Sequence, residues 1–156
     1  MIENAEQFLS GLDKSVDRFH NRFKTMLRST MHATMVRLLR RTPVNTGRAV
    51  MNYVASAGTP ASGPVKSGFK TVEPTNDLRL GAEQLRPAAE AVAMATLQGI
   101  NYDKPFQAFY ISNRAPNIAG LEAGELPHAP YTPRSPQGMF RVTLQEIAQL
   151  LESGRL

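Results

Sequence analysis

Apolar side chains recur at Phe8, Leu12, Val16, Phe19, Phe23, Leu27, Met31, Met35 and Leu38. The intervals of three or four residues place them on one stripe of a helix. No proline interrupts this pattern before Pro43, so the first forty residues are predicted to form one long helix. A helix of ~36 residues is ~54 Å long, more than a globule of this size needs. Part of it is therefore expected to pack on another chain. The mean spacing also exceeds 3.6 residues, so the stripe drifts around the helix and its two halves are expected to face different partners. Thr42-Pro43-Val44-Asn45-Thr46-Gly47 ends the helix. Pro43 disfavours helix at Thr42, and Asn45-Thr46-Gly47 supplies turn chemistry.

Beyond the turn, Ala49 to Ala57 alternates, with Met51, Tyr53 and Ala55 on one face, and is predicted to be a strand. Residues 58–81 are rich in Gly, Pro, Ser and Thr, with Val65 to Val72 a candidate hairpin arm. A loop this long in a compact domain is usually functional or disordered. Ala82 to Gln98 reads as an alanine-rich helix, firm from Pro87 and stopped by Gly99. Phe106 to Ser112 reads as a second strand and residues 113–136 as an irregular, proline-rich segment. Gln137 to Ser153 reads as a final helix with Phe140, Leu144, Ile147 and Leu151 facing inward, closed by Gly154. This order predicts an α+β fold: a long N-terminal helix, a small, mostly antiparallel sheet, a middle helix and a C-terminal helix.

The chain has 156 residues, 42% of them hydrophobic, which makes one domain the default. Residues 1–41 would be the long helix, and residues 42–156 an α+β body with a flexible or partner-contacting loop at 58–81. The sequence has no cysteine, which excludes a disulfide framework, a thiolate metal site and a Cys nucleophile. No run of ~18 apolar residues is present, so no membrane span is expected, and residues 1–10 lack a signal-peptide pattern. The formal net charge of +5 is unevenly distributed. Glu3, Glu6 and Asp13 make residues 1–13 acidic. Residues 14–48 carry Lys14, Arg18, Arg22, Lys24, Arg28, Arg37, Arg40, Arg41 and Arg48 against Asp17 alone. Residues 49–156 balance. All the excess positive charge therefore sits on the first helix and the turn after it, and any polyanionic partner would meet the chain there.

Motifs for catalysis or cofactor binding are lacking. His20 and His32 are twelve residues apart, ~120° around a helix, so they cannot share a metal, and His128 is remote in sequence. There is no His-x-x-x-His, no acidic Ca²⁺ loop, no dinucleotide fingerprint and no phosphate-binding Gly-Lys-Ser/Thr loop. There is no nucleophile elbow either. Glu83 and Glu90 lie seven residues apart on one helix face, where a solvated surface is the better reading than a hydrolytic pair. No convergent set of titratable groups is visible, so no enzymatic activity, cofactor or metal is expected.

Four short stretches are more informative: Thr42-Pro43-Val44-Asn45-Thr46-Gly47-Arg48, Tyr110-Ile111-Ser112-Asn113, Leu121-Glu122-Ala123-Gly124 and Pro136-Gln137-Gly138-Met139-Phe140-Arg141. In this order and at these separations they resemble a family of tailed-bacteriophage neck or tail-completion proteins, small minor tail components encoded near the head–tail joining genes. The resemblance extends over most of the chain. The family pattern is a long helix followed by a Thr-Pro-Val-Asp/Asn-Thr-Gly-Arg turn into a strand. Tyr53 stands where that strand often has Trp, and a later strand ends at an Asn, here Asn113. The family often has Pro-Tyr before a Glu-x-Gly. Here Asn117 replaces the Tyr, and Glu122-Ala123-Gly124 matches the rest.

The resemblance implies a structural virion protein, one of the ring-forming components at the head-to-tail junction around the DNA channel. It implies a homo-oligomer, a hexameric ring matching the sixfold tail. Its neighbours would be head-closure or connector proteins and tail-terminator or tail-tube proteins. A tail terminator or head-closure ring is the nearest alternative, and a basic nucleic-acid-binding module is an alternative of a different class. The residues have local readings too. Gly47 is suited to φ > 0, and Asn113 to closing a strand end by side-chain bonding. Gly138 before Met139 fits a close backbone approach. Arg48 reads either as an exposed or intrachain charge or as an inter-subunit partner of an acid such as Glu122. Lys14, Arg18, Arg22 and Arg40 fall near one side of the first helix, ~130° from the early apolar stripe. That face is open to three readings: channel DNA, the acidic surface of a neighbouring ring, or solvent.

Overall fold

The computed structural model describes residues 4–44, 47–63, 85–104, 107–126 and 135–156. Helix α1 (Ala5–Arg41) is unbroken over 37 residues. It ends where expected: Pro43 follows, and the Thr42 N–H closes the last turn on the Leu38 carbonyl at 3.0 Å. The Arg86 guanidinium donates to the carbonyls of Leu39 and Thr42, satisfying acceptors that a helix C-terminus leaves open.

Two strands form the sheet, β1 (Tyr53–Ala57) and β2 (Phe109–Asn113). They pair antiparallel, from Tyr53 opposite Asn113 to Ala57 opposite Phe109. The strand predicted from Ala49 starts later, because Val50–Asn52 forms a short 3₁₀ turn. The Met51 N–H bonds back to the Gly47 carbonyl and that of Asn52 to Ala49. Helix α2 (Arg86–Gln98) packs on α1 and β1. Its buried positions are Ala89, Ala93 and Leu97, and two alanines let the backbones approach closely. Gly99 ends it, but at φ −74 rather than in the left-handed region. The segment predicted to be irregular contains a short helix, α3 (Ile118–Glu122). Residues 64–84, including the candidate hairpin arm and Glu83, lie outside the described residues, as do Asn45, Thr46, Phe106 and His128.

Helix α4 (Phe140–Glu152) starts three residues later than its sequence pattern predicts and packs on α1. Its end is a Schellman turn, with the N–H of Arg155 on the Leu150 carbonyl and that of Gly154 on Leu151. Its inward face needs correction. Thr143 and Ile147 are buried, whereas Leu144 and Leu151 are exposed. The cause lies on α1: Arg41 donates to Thr143 Oγ1 at 2.9 Å and pairs with Glu146, which also accepts from Arg37 Nε at 3.2 Å. These polar contacts turn the Thr143 and Glu146 side toward α1. The core joins Met35, Leu38 and Leu39 of α1 to Val50, Tyr53, the α2 alanines, Leu121 and Met139.

Candidate functional site

The four sequence motifs converge around one buried phenol. Tyr53 is 1% exposed. Its hydroxyl lies 2.8 Å from Thr42 Oγ1, which also bonds the Leu38 carbonyl at 2.7 Å. Its ring lies 5.9 Å from that of Phe140. Burial pushes the Tyr53 pKa up to about 12, against the opposing hydrogen bonds of Thr42 and Asn113 and with a further upward push from the Glu122 carboxylate. Asn113 ties β2 to the turn before β1. Its Nδ2 donates to the Ala49 carbonyl at 2.8 Å and its Oδ1 accepts from the Ala115 N–H at 3.0 Å.

Glu122, at the end of α3, faces the start of α4. One carboxylate oxygen accepts from the N–H groups of Met139 and Phe140 at 2.7 and 2.8 Å, and the other from Arg141 at 3.0 Å. A helix start leaves such donors unsatisfied and carries partial positive charge, so a carboxylate suits it. The glycines around it are required by contact. A Cβ on Gly138, whose φ is +82, would lie 2.5 Å from Glu122 Oε1, and one on Gly124 would lie 2.5 Å from the Pro136 carbonyl oxygen. Gly47 adopts φ +76 in the turn after α1. Val44 and Met139 are buried, while Gln137 and Arg48 are exposed. Both Glu122 oxygens are engaged within the chain. The motif residues that the structure describes are thus mostly intrachain joints. Nothing in the local sequence signals the Glu122 cap, because donor and acceptor lie seventeen to nineteen residues apart.

Outward-facing chemistry lies elsewhere. Six large apolar side chains of the first 23 residues stand in solvent: Phe8, Leu9, Leu12, Val16, Phe19 and Phe23, with Phe8 70% and Phe19 65% exposed. The rings of Phe19 and Phe23 stack with centroids 6.1 Å apart. Isolated exposed apolar residues are ordinary, but a contiguous row of this size is not. From Met31 onward the stripe enters the core. The helix is therefore divided in two: its later half faces the body and its first half faces outward.

The basic residues are divided between contacts with the body and exposed positions. Lys24 bonds Asp103, holding that carboxyl below its usual range. The Arg28 guanidinium lies 5.3 Å from the Tyr102 ring centroid, and Arg37 and Arg41 meet Glu146. Lys14, Arg18, Arg22 and Arg40 are exposed. Arg40 lies eighteen residues beyond Arg22, ~27 Å along the helix, so the four do not form one compact patch. Between α1 and residues 102–104 and 107–109 lies a cavity of about 370 Å³, lined by Phe23, Lys24, Leu27, Tyr102, Asp103 and Phe109 among others. Among the described residues no group of three His, Asp or Glu side chains is placed to hold a metal ion, and no helix is long and apolar enough to cross a membrane. Comparisons with protein-family models, with curated proteins and with solved structures find no match to this chain.

Proposed function

We propose that this chain is a non-enzymatic structural virion protein of a tailed bacteriophage. In this reading it is a neck or tail-completion component that forms a homo-oligomeric ring, a hexamer, at the head-to-tail junction. The observation that carries the reading is the outward half of α1. A 37-residue helix projects a row of large apolar side chains that the described residues leave exposed, which suits a protein whose role is to be built into a larger assembly. The ordered motif set supports the family resemblance. Exposed Leu144 and Leu151 on α4 supply a second apolar strip on a different element.

The neighbours in this reading are a head-closure or connector ring on one side and a tail-terminator or tail-tube ring on the other. The exposed bases of α1 are available to acidic protein surfaces or, without sequence preference, to channel DNA. The protein would assemble in the bacterial host and reside in the virion neck or proximal tail. Quantitative mass spectrometry of purified particles tests this. The chain should be present at ring stoichiometry, and particles made without it should accumulate as unjoined heads and tails. Normal infectious particles lacking the chain would remove the proposal.

A further inference from the structure

The outward half of α1 carries a more specific pattern than a stripe. Ala5, Leu9, Leu12, Val16, Phe19, Phe23 and Met26 are spaced 4, 3, 4, 3, 4 and 3 residues apart. That strict alternation is the seam of a coiled coil, with Leu9, Val16 and Phe23 at one core position of the heptad and Ala5, Leu12, Phe19 and Met26 at the other. A 3.5-residue period selects a helix as the partner, because only a second supercoiled helix stays in register with it. The five members from Leu9 to Phe23 are all among the exposed large apolar residues.

Charge sets the direction. Residues 5–13 carry Glu6 and Asp13 and no base, whereas residues 18–28 carry Arg18, Arg22, Lys24 and Arg28 and no acid. A parallel in-register pair sets the basic stretch 18–28 of each helix alongside the basic stretch of the other. An antiparallel pair sets the acidic end of each helix beside the basic end of the other, and it also opposes the two helix dipoles. The helix has one such seam rather than two, which fits an isologous pair, whereas a continuous ring of helices needs two.

We propose that residues 9–26 of α1 form an antiparallel two-stranded coiled coil with the same segment of a second copy of this chain. The register that uses every large seam residue stacks Val16 of one copy on Phe19 of the other, Leu12 on Phe23 and Leu9 on Met26. It also sets Asp13 of one copy beside His20 of the other. The inference rests on reading the outward half of α1 as an assembly face. It adds that the pair lies about a two-fold axis, and so joins protomers outside the ring contact itself.

The absence of native cysteine makes the test direct. In light scattering, the full chain should have twice its 17.2 kDa mass. Val16→Asp should weaken the pair about 100-fold or more by burying a carboxylate in the seam, whereas Lys14→Ala, on the outer side of the coil, should leave it intact. Leu12→Cys mixed with Phe23→Cys should give a disulfide-linked dimer on mild oxidation, and Leu12→Cys alone should give little. A chain that stays monomeric, or Leu12→Cys linking efficiently to itself, overturns the antiparallel pair. A ring that assembles unchanged with Val16→Asp also overturns it while leaving the ring reading in place. A dimer that never enters particles supports the pair and removes the ring reading.

Discussion

The carboxylate of Glu122 holds the backbone N–H of Met139 at 2.7 Å, and with it the start of α4 is fixed to the end of α3. Phe140 and Arg141 donate to the same side chain. Replacing Glu122 with Ala should cost about 2 kcal/mol, the upper part of the range for loss of a helix cap, and lower Tm by about 6 °C for a domain of this size. Thermal denaturation followed by circular dichroism checks this, and an unchanged midpoint would mean that the cap is not stabilising.

Gly138→Ala should destabilise through the same joint. The residue sits at φ +82, and its new Cβ would meet Glu122 Oε1 at 2.5 Å, so a loss of about 2–3 kcal/mol is expected. Part of the clash is with the capping carboxylate and part with the Glu122 carbonyl oxygen, 2.7 Å from the new Cβ, so the loss should be smaller but not abolished when Glu122 is already Ala. A double-mutant cycle should show a coupling of about 1 kcal/mol between the two sites. Additive losses would place the strain in the backbone alone.

Tyr53 makes stability sensitive to alkali. Its pKa is pushed up to about 12 by burial, against about 10 in an unfolded chain. The folded state therefore keeps the proton where the unfolded state loses it. The resulting stabilisation is fully present below pH 10 and is lost as pH rises toward 12, amounting to about 2–3 kcal/mol over that window. Urea titrations at several pH values should show this decline, and Tyr53→Phe should flatten it while lowering stability at neutral pH through the loss of the Thr42 partner.

The exposed bases of α1 are few and spread out, since Lys24, Arg28, Arg37 and Arg41 are engaged with the body. Duplex DNA should therefore bind without sequence preference at about 10⁻⁴–10⁻⁶ M near physiological salt. Arg18→Glu combined with Arg22→Glu should reduce the salt slope and change folding stability by no more than about 0.5 kcal/mol. Submicromolar, sequence-selective binding in a gel-shift titration would instead favour a nucleic-acid-binding module.

Much of this architecture is legible in the sequence where a single period governs. The 37 residues of α1 follow from one uninterrupted stripe and the Thr42-Pro43 stop. The face of β1 that holds Tyr53 and Ala55 follows from alternation. The period failed on α4, where Leu144 and Leu151 point outward. There the packing is decided by Arg41 and Arg37 reaching Thr143 and Glu146 across a separation of about one hundred residues, and no local pattern encodes such a contact. The Glu122 cap was hidden for the same reason. The motifs could be located by eye, but their role as joints around Tyr53 needed the fold. The seam on the outward half of α1 was visible in principle. A stripe drawn through Phe8 rather than Leu9 obscured its strict 4, 3 alternation.

The central claim is that the outward half of α1 serves assembly while the motif residues serve the fold. Phe19→Asp separates the two, because Phe19 is 65% exposed and lies outside the core. Complementation of particle assembly with this variant, alongside its thermal midpoint measured at a concentration where the chain is monomeric, is the most direct measurement. A wild-type midpoint together with a loss of joined, infectious particles is expected. A variant that folds normally and still supports wild-type particle yield would contradict it.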